Sequence, residues 1–176
     1  TAMPKVAGLI VICILKVCHG LCYLSESSAM LFSSLELLTR VNMETIRMEN
    51  GLSLSLVAAK NSLLILKKNL LHFSAPTEAP DSIWKHFMNH LRHLSTLPSA
   101  RNAVLDILEY IICDSSDMIN ETNVSSIISL CASYLQQIRR ASTVAPSAQA
   151  YAHDLGNENR ASDDNENIRA IRLMFQ

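Results

Sequence analysis

The order of apolar and polar residues along the chain predicts helices from one end to the other. Residues 5–24 are apolar nearly all round, with an unbroken run from Val6 to Leu15, so a first helix is expected to be enclosed on most sides. Ser25-Glu26-Ser27-Ser28 breaks it and offers N-cap side chains to a second helix over residues 29–41. Met30, Leu31, Leu35, Leu37 and Leu38 give that helix a broad apolar face. Residues 42–51 are polar, with at most a short turn of helix. A third helix is expected over residues 52–73, with Leu56, Leu63, Leu66, Leu70 and Phe73 inward and Lys60, Lys67 and Lys68 outward.

Pro76 and Pro80 then deny helix, and Asp81 caps a fourth helix over residues 82–96. Ile83, Phe87, Leu91 and Leu94 follow one another at spacings of four, four and three, a single stripe. Pro98 opens a fifth helix, at a position where its missing N–H is not needed, and Val104, Ile107, Leu108, Ile111 and Ile112 make it apolar to about residue 113. After a polar loop over residues 114–121, a sixth helix (123–140) is expected to bury Ile127, Ile128, Cys131, Leu135 and Ile138.

Residues 141–165 change to Ala, Ser, Asn, Asp and Glu, the composition of a flexible linker. Residues 166–176 regain an amphipathic pattern, with Ile168, Ile171 and Phe175 on one side and Arg169 and Arg172 on another. The expected organisation is a helical domain over 1–140, a linker, and a short C-terminal helix.

The ends of three helices read alike: Leu70-Leu71-His72-Phe73-Ser74, Leu91-Arg92-His93-Leu94-Ser95 and Leu108-Glu109-Tyr110-Ile111-Ile112. They fall about 20 residues apart, so a helix pair recurs about every 40, the period of two-helix solenoid repeats. A compact helical bundle with short loops gives similar spacing. From Asn89 to Ile112 the chain resembles armadillo-type repeats, in which a helix ending in Leu-x-x-Leu-Ser is followed by a short turn, a proline, a basic residue and an apolar helix; Leu91, Leu94, Ser95, Pro98, Arg101 and Val104 occupy those places. The resemblance covers about one repeat and lacks the glycine often found between the later two helices, so HEAT-like pairs fit equally well. It implies an all-α solenoid fragment built from stacked antiparallel pairs.

Composition narrows the classes. With 49% apolar and 18% charged residues the chain is too hydrophobic for disorder, and 4 glycines and 5 prolines are too few for a many-turned β protein. The formal net charge is −1: 12 Lys/Arg face 11 Asp/Glu through Arg140, and 3 face 5 beyond it. No basic stripe for nucleic-acid phosphates is present. Five cysteines, three of them (Cys13, Cys18, Cys22) in one apolar stretch, read as buried thiols of an intracellular protein. The start at Met3-Pro4-Lys5 resembles a secretory signal, but an apolar run of ten residues is too short to span a bilayer and suits a core helix.

No Gly-rich phosphate loop, His-Glu-x-x-His, Gly-x-Ser-x-Gly or Cys-x-x-Cys occurs, and the acidic residues are dispersed, so no enzyme and no cofactor is expected. His86, His90 and His93 share one strip of the fourth helix and are the nearest approach to a metal site. Bordering the Phe87/Leu91 stripe, they read instead as half-buried contacts between helices. Trp84 is either a packing residue or a partner anchor, with packing favoured. Arg139-Arg140-Ala141-Ser142 has the form preferred by basic-directed kinases, which marks Ser142 as a phosphorylation candidate where helix gives way to linker.

The functional expectation is a non-enzymatic scaffold that binds other proteins, including helical peptides, and neither nucleic acid nor membrane. Lys60, Lys67, Lys68 and Arg101 are the expected contacts on the body, and Ile168, Ile171 and Phe175 those on the C-terminal segment. The alternative is a secreted helical-bundle signalling protein with residues 3–20 as its signal, glycosylated at Asn120 or Asn123 and bridged between Cys113 and Cys131.

Overall fold

The computed structural model describes residues 3–21, 28–70, 73, 83–121 and 123–144. Along them run six helices: α1 (Met3–Leu21), α2 (Ser28–Ser33, drawn out as a 3-10 helix over Ser34–Arg40), α3 (Leu54–Lys68), α4 (Ile83–Ser95), α5 (Arg101–Glu109) and α6 (Val124–Val144). No strand occurs among the described residues, and one isolated antiparallel bridge pairs Arg47 with Ser53. The expected linker beyond Val144 and the segment with Ile168, Ile171 and Phe175 lie outside the described residues.

Local chemistry sets the ends of these helices. Gly51 takes a φ of +79°, open to it because it lacks a Cβ, and turns the chain into α3. The Ser53 hydroxyl then accepts the Leu56 N–H at 3.3 Å as the N-cap. Pro98 opens a 3-10 turn, Pro98–Ala100, from which α5 continues. Past Glu109 the helix widens into a π turn over Tyr110–Asp114. Before α6, Asn120 and Asn123 cap each other: the Asn120 N–H donates to Asn123 Oδ1 at 2.9 Å and the Asn123 N–H to Asn120 Oδ1 at 3.1 Å.

α1 packs most extensively on α3, and α3 packs in turn on α5 and the Pro98–Ala100 turn. On the other side, α2 with its 3-10 extension packs on α4, and α4 on α6. The Glu44 carboxylate ties the start of α3 to the turn before α5, accepting from Ser55 Oγ at 2.7 Å and from the Ser99 hydroxyl and N–H. Lys67, near the end of α3, lies over the Tyr110 ring beyond the end of α5. These two ties make α3 and α5 run the same way, with α4 returning between them.

Val11, Leu15 and Cys18 bring α1 into the core, and the four stripe residues of α4 are all buried. Phe32, Phe73, Trp84 and Phe87 form an edge-to-face knot with ring centroids 4.9–6.3 Å apart.

Several expected burials do not hold. α1 is enclosed on one side only: Val6, Leu9, Ile10, Cys13 and Val17 face outward, because α3 and α2 cover a single face. Met30 and Leu37 are exposed, because α2 and its 3-10 extension turn Phe32, Leu35 and Leu38 inward instead. Ile128 is 56% exposed, because only the Ile127–Leu130–Tyr134 face of α6 is turned inward. The sixth helix also runs on to Val144, so the backbone at Ser142 is helical rather than the start of a linker.

Candidate functional site

Lys60, Leu64, Lys67 and Lys68 follow one another at spacings of four, three and one on α3, which places them on one helix face. The opposite face, with Ala58, Ala59, Ser62, Ile65 and Leu66, is wholly buried, so the first four residues have nowhere to point but outward. Leu64 is 53% exposed between the lysines. None of the three ammonium groups pairs with a carboxylate among the described residues. The Lys67 Nζ sits 4.6 Å from the centre of the Tyr110 ring, which stations its charge over the joint between α5 and its π turn. The result is a cationic face around one exposed apolar side chain.

Arg101 does not join this face. It stands at the start of α5, the far end from Tyr110, and its Nε is shielded without a hydrogen-bond partner among the described residues. Its backbone carbonyl accepts the Tyr134 hydroxyl at 2.7 Å, a tie between α5 and α6.

The three histidines part company. His86 Nδ1 meets the Glu36 carboxylate at 2.8 Å, tying α4 to the 3-10 segment. His90 is completely buried, not half-buried, and its Nε2 meets the Ser62 hydroxyl at 3.1 Å. Burial, helped by the neighbouring His93, pushes the His90 pKa down to about 3 and keeps the ring neutral. Burial also lowers the pKa of His93. His86 and His90 thus serve different neighbours, the His93 Nε2 is shielded without a hydrogen-bond partner among the described residues, and no group of three metal-ligating side chains gathers there. Trp84 is buried in the aromatic knot, so it packs and cannot anchor a partner.

The cysteines and the glycosylation patterns bear on the secreted alternative. Cys113 is exposed and Cys131 buried, and both are free thiols rather than a bridge. Burial raises the Cys131 pKa. Asn123 is only 3% exposed and engaged in its cap, so its amide offers no acceptor in the folded chain. Cys18 is buried as expected and bonds the Leu31 carbonyl at 3.3 Å. No described helix is long and apolar enough to cross a membrane.

A second surface was not foreseen. Leu9, Ile46 and Met48 floor a groove of about 660 Å³ beside α1, with Lys5, Arg47 and Glu49 at its rim. Leu9 is shared between this groove and the outward face of α1. The sequence held one signal for each surface: Leu64 at four residues from both Lys60 and Lys68, and the period of Val6, Ile10, Cys13 and Val17 within an all-apolar run.

No known protein family matches the chain, and neither does any curated protein or solved structure.

Proposed function

We propose that the chain is a non-enzymatic protein-interaction module, a solenoid fragment of the armadillo/HEAT type. In this reading three helix pairs, α1/α2, α3/α4 and α5/α6, stack in two rows. The contacts that support it run α1 to α3 to α5 along one side and α2 to α4 to α6 along the other, while the third pair is joined by the Tyr134 hydroxyl on the Arg101 carbonyl rather than by packing along its length. A row of this kind leaves outer helix faces open along its length, and on α3 that face carries function.

The observation that carries the reading is the exposed Leu64 among three lysines that meet no carboxylate among the described residues. Charged residues around a solvated leucine favour a protein partner that brings carboxylates and covers the leucine. The test uses the full chain as bait, with Lys60→Glu/Lys67→Glu/Lys68→Glu and Leu64→Asp as separate variants. Loss of the same captured proteins by both variants, at an unchanged melting temperature, is the expected result. An unchanged set of captured proteins would overturn the α3 site.

A further inference from the structure

The outward face of α1 presents Ile10, Cys13 and Val17 at spacings of three and four, with Val6 and Leu9 extending the stripe. Lys5 stands five residues before Ile10 and shares the groove with Arg47. α1 has no acidic residue, and Glu49 is the one carboxylate against the two cations that line the groove. Such a face needs an occupant that is apolar at the same spacing and acidic at one end.

A second copy of the chain does not qualify. Antiparallel pairing of two α1 stripes brings Lys5 of each near Lys16 of the other, like charge against like. One helix face also falls well short of the roughly 800 Å² per partner that a stable dimer buries.

The chain itself contains a matching segment. Ile168, Ile171 and Phe175 repeat the spacing of three and four, and Asp163 stands five residues before Ile168 as Lys5 does before Ile10. Asp164 and Glu166 add to the negative end. This segment lies outside the described residues. Residues 145–162 connect it to α6, and 18 residues reach about 60 Å when extended. A body of this size is about 40 Å across, so the tether reaches any face. Among the described residues the outward face of α3 offers one exposed large apolar side chain, Leu64, whereas α1 offers a stripe of them.

We propose that residues 163–175 dock in cis along the outward face of α1, with the carboxylates of Asp163, Asp164 and Glu166 toward Lys5 and Arg47 and the three apolar residues over Ile10, Cys13 and Val17. The dock is independent of the α3 partner site and closes a different surface. Tethering supplies a roughly millimolar effective concentration, which fills a site of about 100 μM affinity in about nine molecules of ten.

Cys13 is an exposed thiol in the middle of the stripe, so its alkylation by N-ethylmaleimide reads the dock directly. The full chain is pulse-labelled and Cys13 and Cys113 are quantified separately by peptide mass spectrometry. Ile171→Asp is expected to speed Cys13 labelling about tenfold, the inverse of the undocked fraction, and to leave Cys113 unchanged. Lys5→Glu should also speed it, and Asp163→Lys/Asp164→Lys in that background should slow it again. Under mild oxidation, Ile171→Cys should form an intramolecular disulfide with Cys13 at a rate independent of protein concentration. Equal Cys13 labelling in wild type and Ile171→Asp overturns the dock. So does protection of Cys13 that rises with protein concentration, which would mean that a second copy covers the face. Neither result touches the partner-capture test on α3.

Discussion

The imidazole of His90 and the hydroxyl of Ser62 meet at 3.1 Å where α4 crosses α3, and both side chains are completely shielded from water. Ser62 also donates to the Ala58 carbonyl at 2.9 Å, so its oxygen is free to accept from the ring. The folded protein holds His90 neutral, with a pKa of about 3, whereas the unfolded chain protonates it near 6.5. Stability is therefore full above pH 6.5 and is lost as the pH falls from there toward 3, at up to about 1.4 kcal/mol per pH unit. Urea midpoints at pH 7 and pH 5 should show the loss. His90→Gln keeps a neutral hydrogen-bonding group and should flatten the slope; an unchanged slope would assign the acid sensitivity elsewhere.

Neighbouring isoleucines on α6 should behave oppositely. Ile127 is buried and Ile128 is mostly exposed. Ile127→Ala should destabilise by about 2–4 kcal/mol through loss of packing and the cavity left behind. Ile128→Ala should fall within about 0.5 kcal/mol of wild type. Similar losses in thermal melts of the two variants would show that α6 is rotated from the described placement.

The helices were legible where the period was strict. The α4 stripe, the buried Val104, Ile107 and Leu108 of α5 and Ile111 in the π turn beyond it came directly from spacing. Where apolar residues surround a helix, spacing has no power to choose a face. Val11 and Leu15 went inward and Leu9 and Ile10 outward only because α3 and α2 cover one side of α1. The histidine strip failed for a related reason. Its three positions are neighbours on the helix surface, but Glu36 and Ser62, from segments distant in sequence, decide what His86 and His90 do.

Glu44 joins Ser55 and Ser99, which no pattern along the chain connects. Burial works to raise its pKa, but the hydrogen bonds from Ser99 and Ser55 outweigh that and hold it below the ordinary carboxylate value. Its contribution is present above the ordinary pKa of 4.5 and is lost as the pH falls below it. Glu44→Ala should cost about 1–3 kcal/mol at pH 7 by leaving Ser99 and Ser55 without their acceptor. The difference from wild type should shrink in denaturation curves recorded below pH 4; a constant difference would mean that the charge contributes nothing.

Tyr134 is the largest fully buried side chain on α6, and its hydroxyl ends on the Arg101 carbonyl. Tyr134→Phe keeps the packing and removes that bond, so it should cost about 1 kcal/mol. Hydrogen exchange should quicken along α6 while α1 and α3 keep their protection. Uniform quickening across all helices would mean that α6 does not open separately from the rest.

The aromatic knot gives the molecule its own optical reporter. The chain has one tryptophan, and three of its four phenylalanines share that knot with it. Phe73 touches each of the other three rings, so the indole emits from a dry setting only while that phenylalanine is seated. Intrinsic fluorescence therefore follows the joint between α2, α4 and the chain just past α3, one small region of the molecule. Ordering of α6 or of the α1 face leaves the emission unchanged, and a red shift without loss of circular dichroism would mark the opening of that joint alone.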